Sequence, residues 1–110
     1  MLERYRACMV LSGVLDAIGF KNGKWEFNKD GPSIIKEYYA LGGISEIVVN
    51  KKNWKVSDDT VMHLATAESL VESNEEKVES IAQLLSTYYL QCGSDMEGNM
   101  IGISGYIKIL

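Results

Sequence analysis

Apolar residues recur at helical spacing along most of the chain and predict four helices. The first spans residues 2–18 and ends before Gly19, because glycine is favoured just after a helix. Apolar side chains occupy both faces of this segment, so we expect the first helix to be largely buried. The second helix begins at Pro32, which suits the first helical position, and it ends at Gly42-Gly43.

Two further helices are predicted in the second half of the chain. Apolar spacing predicts the third over residues 61–71, directly after a polar, acidic tetrapeptide. Ser73 and Glu76 have the spacing of a capping box, so we expect Ser73 to cap the fourth helix. This last helix is predicted to end near Cys92-Gly93.

The remaining segments predict loops and a tail of different character. Residues 20–31 contain Asn-Gly and Asp-Gly pairs, which favour a loop, with Trp25 and Phe27 as its two aromatic anchors. Residues 47–49 could form a short extended piece, and residues 103–110 alternate loosely as a strand does. The pattern as a whole predicts an all-α fold of about four helices with an irregular tail.

Composition narrows the class of protein. The chain has 110 residues, 46% of them apolar, which is enough for one domain with a buried core. It carries 11 basic and 15 acidic side chains, a balance that argues against a nucleic-acid partner. The only histidine, His63, leaves no room for a His-rich metal site. Cys8 and Cys92 form no CxxC motif, so we expect two partly buried thiols in a reducing compartment.

The N-terminus has some features of a signal peptide, since Arg4 and Arg6 precede the apolar residues 7–15. Against that interpretation, Glu3 lies among the basic residues, Asp16 ends the apolar run and no small-residue cleavage site follows at once. The run is also shorter than the roughly 20 apolar residues that span a bilayer. We therefore expect a cytoplasmic protein without a membrane partner.

The acidic tetrapeptide Ser57-Asp58-Asp59-Thr60 is the most informative stretch for chemistry. One interpretation is structural, because a serine cap and acidic residues in the first turn stabilise a helix N-terminus. The other is functional. Two consecutive carboxylates on a helix project about 100° apart, and with the Ser57 hydroxyl they offer oxygen ligands to a hard cation such as Mg²⁺, Mn²⁺ or Ca²⁺.

Other polar residues leave similar alternatives open. Asp16 is either a paired or ligating carboxylate on an apolar helix face, or a surface residue near the helix end. Glu26, between two aromatic residues, is either held at the mouth of a pocket or simply exposed. We expect His63 to be a hydrogen-bonded core histidine, and Asp95 and Glu97 to be solvated.

Three segments together resemble a known family. They are NGKWEF at residues 22–27, LGG at 41–43 and WKVSDDTVMHLATAE at 54–68. They are similar to segments of the ADP-ribosylglycohydrolases, and most of all to those of the protein ADP-ribosylarginine hydrolases, and the resemblance covers residues 4–98. The pairing of GKWEF with VSDDTVMHLATAE is what makes it specific. The segment around Asp16 resembles the family's first-helix GDALG, with Leu15 in place of the first glycine.

The resemblance implies an all-helical hydrolase that uses two Mg²⁺ ions. Such enzymes cleave the N-glycosidic bond between ADP-ribose and an arginine side chain of a modified protein, so ADP-ribosylated proteins and ADP-ribose are the implied partners. Carried over residue by residue, the resemblance implies Ser57, Asp58 and Asp59 as metal ligands. It also implies Glu26, Asp58 and Asp59 as catalytic residues.

The resemblance also implies that half of the metal site is missing here. The family is longer, and its other ligands come from a D-x-D-S/T motif near its C-terminus that this chain lacks. We therefore predict that residues 1–98 are the N-terminal portion of the domain and residues 99–110 a divergent tail. A truncated gene model, an alternative transcript or a fragment would each explain this pattern.

The function that we expect is therefore that of part of a Mg²⁺-dependent ADP-ribosylarginine hydrolase, with little or no activity in the isolated chain. One alternative is a truncated, non-catalytic relative that binds ADP-ribose or a partner protein. A small helical adaptor with a coincidental SDDT sequence is a third interpretation.

Overall fold

The computed structural model describes residues 1–50, 52–73 and 77–96, with the side chains up to residue 93. Four α-helices account for most of these residues: α1 (Leu2–Phe20), α2 (Gly31–Ala40), α3 (Asp58–Ser73) and α4 (Val78–Met96). The described part of the chain contains no strand, so the prediction of an all-α fold with four helices is confirmed. Residues 47–49 belong to no helix or strand, so the short extended piece that they could form is not part of a sheet. The predicted strand at 103–110 and the tail 99–110 lie outside the described residues.

Helix α1 ends two residues later than the sequence predicts. Gly19 is part of the helix, and the left-handed C-cap is Lys21, whose N–H donates to the Ala17 carbonyl. Asn22 and Gly23 also have positive φ angles, of 55° and 83°. This tight turn becomes the short 3₁₀ helix Lys21–Gly23, which starts the chain toward α2.

The prediction that α1 is largely buried is wrong. Only Gly13, Ala17 and Phe20 are buried in this helix, and Cys8, which we expected to be partly buried, is exposed. Among the described elements α1 packs mainly against α3 and the turn that follows α1, and its apolar residues Tyr5, Leu11 and Leu15 are exposed.

Helix α2 begins at Gly31, one residue before the predicted Pro32, and ends before Gly42-Gly43 as its sequence predicts. The Asp30 side chain caps it by accepting a hydrogen bond from the Ser33 N–H, and proline lies in the first turn. After Leu41, Gly42 and Gly43 adopt positive φ angles of 88° and 71°, which turn the chain back. Such angles favour glycine because it has no Cβ.

Helices α3 and α4 form an antiparallel hairpin, and they make the most extensive helix–helix contact among the described elements. The hydroxyls of Thr66 and Tyr89 join them with a hydrogen bond of 2.7 Å. The predicted capping box is wrong because α3 continues to Ser73, whose hydroxyl donates to the Leu70 carbonyl. Gly93 lies inside α4 rather than at its end.

A small core holds the start of α3 against α1. Its buried members are Ala17 of α1, Val61 of α3, and Trp54 and Val56 of the connector between α2 and α3. Cys92 packs against this core, as predicted for that thiol. Core residues therefore hold the chain both before and after the acidic tetrapeptide. This places the N-terminus of α3 beside the C-terminal half of α1.

Candidate active site

The acidic tetrapeptide is anchored by its two buried hydroxyl residues, while its carboxylates face solvent. Ser57 and Thr60 are 4% and 3% exposed, whereas Asp58 and Asp59 are exposed. Ser57 directly precedes α3, and its hydroxyl accepts a hydrogen bond of 3.2 Å from the Asp59 N–H. The structural interpretation of Ser57 as a helix cap is therefore confirmed. The carboxylates of Asp58 and Asp59 lie in the first turn of α3, where the helix dipole favours negative charge.

The Asp16 carboxylate of α1 accepts three hydrogen bonds from this tetrapeptide, and we call this set of contacts the clasp. One carboxylate oxygen, Oδ1, accepts from the Ser57 hydroxyl at 2.7 Å. The other, Oδ2, accepts from the Ser57 N–H at 2.7 Å and from the Thr60 hydroxyl at 2.6 Å. A carboxylate removed from water needs such partners. Of the two alternatives for Asp16, the structure shows the paired carboxylate.

An open cleft of ≈ 170 Å³ lies beside this clasp. Its lining residues are Asp16, Gly19, Phe20, Glu26, Ser57 and Asp59. The structure thus brings together three of the four predicted site residues, Glu26, Ser57 and Asp59, while Asp58 is next to the cleft but not in its lining. No described residue donates a hydrogen bond to the carboxylates of Glu26, Asp58 or Asp59, which leaves their oxygens available to a ligand.

The loop that carries Glu26 is tied to α2. Its neighbour Trp25 is buried, and the indole N–H donates to Oε2 of Glu37 at 2.9 Å. Lys24 donates to the other oxygen of Glu37 at 2.6 Å. These two hydrogen bonds lower the pKa of Glu37 because they favour its charged form. Phe27, predicted as a second anchor, is 81% exposed, so that prediction is wrong.

Asn22 connects the same loop to the connector before α3. Its side-chain amide donates to the Asn53 carbonyl at 2.7 Å, and its side-chain oxygen accepts from the Lys55 N–H at 2.8 Å. Next to it, the Lys21 ammonium lies 3.9 Å from the centre of a Trp54 ring, a cation–π contact. These contacts fix the distance between the Glu26 loop and Ser57.

The supporting roles of Asn22, Glu37 and Thr60 are not apparent from the sequence. The Asn-Gly pair signals a turn, but it does not show which backbone groups the asparagine side chain will meet. For Glu37 and Thr60 no local signal exists, because their partners are 12 or more residues away along the chain.

The prediction for His63 is wrong. His63 is exposed, because the face of α3 that packs inward carries Val61, Leu64 and Ala65. Of the predicted acidic pair, Glu97 and the side chain of Asp95 lie outside the described residues, so that prediction is untested.

The donor set at the N-terminus of α3 fits a hard cation, since it offers one hydroxyl and two carboxylates and no sulfur or imidazole. It is also small. Within the described ranges, no three His, Cys, Asp or Glu side chains are grouped so that they could hold a metal ion. A hydroxyl and two carboxylates supply at most part of the six-oxygen shell that Mg²⁺ prefers.

None of the described helices is long and apolar enough to cross a lipid bilayer.

Comparison with known proteins places the chain in a family. It is 42% identical over 101 residues to ADP-ribosylhydrolase ARH1 of Dictyostelium discoideum, a match that covers 92% of this chain and 26% of that protein. It is 39% identical over 64 residues to L444 of Acanthamoeba polyphaga mimivirus, which is named as an ADP-ribosyl glycohydrolase; this match covers 52% of the chain and 12% of the viral protein. The chain therefore spans about a quarter or less of these relatives. A sequence model of the ADP-ribosylglycohydrolases matches residues 1–106, and the chain belongs to this family.

Proposed function

We propose that this chain forms the N-terminal part of a hydrolase that removes ADP-ribose from arginine side chains of modified proteins. Family membership and the name of the Dictyostelium relative support hydrolysis of an ADP-ribosyl bond. The observation that carries the proposal is the cleft, where Ser57 and Asp59 on one wall meet Glu26 on another. Arginine as the acceptor rests on the resemblance of the segments around Glu26 and Ser57.

The proposal includes Mg²⁺ as cofactor, with Ser57, Asp58 and Asp59 as this chain's ligands. All three side chains offer oxygen ligands, which Mg²⁺ prefers. Neither carboxylate accepts a hydrogen bond from a described residue. When bound, the metal would polarise substrate oxygens and favour ionisation of a water molecule. The ligands that this chain does not supply would come from the part of the domain that corresponds to the rest of the relatives' length.

Glu26 is the residue that we propose for proton transfer. Glycoside hydrolysis passes through a transition state with positive charge at the anomeric carbon, and carboxylates beside that carbon stabilise the charge and move protons. Glu26 is exposed, lines the cleft and is held by the anchored Trp25. A carboxylate oxygen of Glu26 can therefore take the proton of the attacking water.

The partners that follow are ADP-ribosylated proteins, which the chain would meet in the cytoplasm. That location is part of the proposal, and it accords with two cysteines that are both free thiols.

A chimera tests the proposal. Residues 1–98 of this chain replace the matching segment of the Dictyostelium relative, and release of ADP-ribose from an ADP-ribosylarginine protein is measured with and without Mg²⁺. We expect Mg²⁺-dependent release, reduced on the order of 100-fold or more by Asp59→Asn, as for loss of an electrostatic group at a reaction centre. The matched control is Glu79→Gln, an equal charge change on the exposed first turn of α4, which should leave the rate unchanged.

Two results would contradict the proposal. One is a chimera that releases ADP-ribose equally well with Asp59→Asn or without Mg²⁺. The other is release by the purified 110-residue chain alone that is lost in Asp58→Ala, since this would show that the chain holds a complete site.

A non-catalytic role in binding ADP-ribose is a second candidate. It is favoured by the small ligand set, because the described residues hold no group of three metal-binding side chains. An inactive chimera, together with calorimetric binding of ADP-ribose by the 110-residue chain, would support this role over hydrolysis.

A further inference from the structure

We propose that Asp16 is a positioning residue that fixes the direction of the Ser57 hydroxyl, with its proton toward α1 and a lone pair toward the cleft. This inference rests on the proposed role of Ser57 as a cation ligand. It assigns a function to the one aspartate on an apolar helix face that the proposed catalytic and metal-binding residues do not include.

The direction of the Ser57 hydroxyl follows from the hydrogen-bond donors and acceptors around it. An ionised carboxylate only accepts hydrogen bonds, so the 2.7 Å contact between Oδ1 of Asp16 and the Ser57 hydroxyl requires the hydroxyl to donate its single proton. The Asp59 N–H occupies one of the two lone pairs of the same oxygen. One lone pair remains, and Ser57 lines the cleft. A lone pair, rather than a proton, is what a cation needs.

The carboxylate itself has no freedom to rotate away. Its second oxygen, Oδ2, is held by the Ser57 N–H and by the Thr60 hydroxyl, both within 2.7 Å. Asp16 also precedes Ala17, which is fully buried in the core. Both sides of the clasp are therefore fixed, and Oδ1 has to face the Ser57 hydroxyl.

Asp16→Asn separates this role from a general structural one. The side-chain oxygen of the asparagine would take the place of Oδ2, where it keeps two donors satisfied. The NH₂ group would then face the Ser57 hydroxyl, which would have to accept instead of donate. The substitution thus preserves most of the clasp, but it uses the lone pair that we assign to the cation.

The experiment uses the 110-residue chain, labelled with ¹⁵N, and Mn²⁺ alone as a paramagnetic probe. We expect Mn²⁺ to broaden the amide signals of residues 57–60 first. Asp16→Asn should raise the Mn²⁺ concentration needed by about tenfold or more, as for other residues that orient a metal ligand. The matched control is Glu79→Gln, which removes the same single negative charge from the exposed first turn of α4 and touches no part of the clasp, and it should change this concentration by less than about twofold. Thermal unfolding checks that both variants are folded.

A double-mutant cycle separates positioning from loss of charge. In Ser57→Ala the hydroxyl is absent, so adding Asp16→Asn should cause no further loss of Mn²⁺ binding. If Asp16→Asn weakens binding equally with and without the hydroxyl, Asp16 acts through its charge, and the inference is overturned. Equal Mn²⁺ binding by the wild-type chain and Asp16→Asn overturns it as well, while it leaves the proposed metal site standing.

A measurement without metal keeps the two proposals distinguishable. In the metal-free wild-type chain, the hydroxyl protons of Ser57 and Thr60 should both exchange slowly with water. In Asp16→Asn only that of Thr60 should remain slow. If this pattern is found but Mn²⁺ broadens no signal of residues 57–60, the metal assignment fails and the positioning by Asp16 stands. If the Ser57 proton exchanges fast in the wild-type chain, the positioning is overturned.

Discussion

Hydrogen-bond donors divide the described carboxylates around the cleft into two kinds. Asp16 and Glu37 each accept bonds from donors on two different residues, and they hold the backbone on either side of the cleft. Glu26, Asp58 and Asp59 have no described donor and are exposed. The first kind fixes geometry and the second remains available to bind or react, so the two functions are assigned to different residues.

Glu37 makes one of these supports dependent on pH. The hydrogen bonds from Lys24 and Trp25 lower its pKa from the ordinary value of 4.5, so they stabilise the fold fully above that value. The stabilisation is lost as the pH falls through the lowered pKa. We expect the wild-type chain to unfold at a higher urea concentration than Glu37→Gln at pH 7, with a difference that shrinks as the solution is acidified below pH 4.5.

The comparison with Glu37→Gln cancels the other carboxylates, which titrate in both proteins. Glutamine can still accept from the Trp25 indole, so the variant removes the titration and the ion pair with Lys24 rather than the whole contact. A difference that stays constant or grows toward low pH would contradict the prediction.

Among individual residues, the sequence predicts those whose signal is local. Ser57, Asp58 and Asp59 form a contiguous motif, and Glu26 belongs to a short segment with recognisable neighbours. Asp16 was noticed only as an unusual carboxylate, because its partners are 41 and 44 residues away. His63 was misplaced because a helix position alone does not show which face finds a neighbour.

Replacing a glycine by alanine should have opposite effects in the turn after α2 and inside α4. At Gly42, φ is +88° and an added Cβ would lie 2.5 Å from the Cβ of Glu46. At Gly93, inside α4, an added Cβ would meet nothing within 4 Å. We expect Gly42→Ala to destabilise the chain by about 2 kcal/mol or more, through backbone strain and the clash. Gly93→Ala should stabilise it by about 0.5–1 kcal/mol, because alanine loses less entropy in a helix.

Urea unfolding of the two variants measures these effects, and each substitution serves as the control for the other because both add one methyl group. A stabilised Gly42→Ala would show that the turn after α2 tolerates an ordinary residue.

The limits of the elements were harder to predict than their existence. Apolar spacing predicts all four helices, but Gly19 and Gly93, which the sequence predicts at helix ends, lie inside helices. A glycine costs a helix only about 1 kcal/mol, which the contacts of the surrounding residues can offset. The spacing of Ser73 and Glu76 predicts a cap, but a capping signal does not show that the preceding helix has already ended, and Ser73 is the last residue of α3.

The described part of the chain exposes more large apolar side chains than its small core buries. Leu11 and Leu15, one turn apart on α1, are 57% and 59% exposed, and Leu90 of α4 is 81% exposed. Neighbouring exposed apolar side chains such as Leu11 and Leu15 favour association. We expect the 110-residue chain to bind the dye ANS and to associate as its concentration rises, in sedimentation velocity experiments.

Replacing Leu11 and Leu15 by lysine should reduce both effects. Gln83 and Ser86 on the exposed side of α4 provide the control, because their replacement by lysine adds the same charge without removing apolar surface. Equal association of the two double variants would show that charge, rather than the apolar face of α1, governs the behaviour.

The fold class was predictable from the sequence, but the burial of individual apolar side chains was not. Periodicity shows that a face is apolar, and it predicted that α1 would be largely covered. Coverage depends on which neighbours are present, and this chain matches only 26% of its Dictyostelium relative. The same argument applies to Phe27 and Cys8, two apolar residues that the sequence placed inside and that the structure leaves exposed.

The clasp between Asp16 and Ser57 also makes the site dependent on a contact between distant parts of the chain. Its hydrogen bonds close a loop of 41 residues, and closing a loop of that length costs on the order of 3 kcal/mol of chain entropy. A peptide of residues 57–73 would contain the acidic tetrapeptide and α3 but not α1, so it would form none of the clasp. The oriented hydroxyl therefore exists only in molecules whose first helix has already docked, so chains that are still folding would not present it to metal ions.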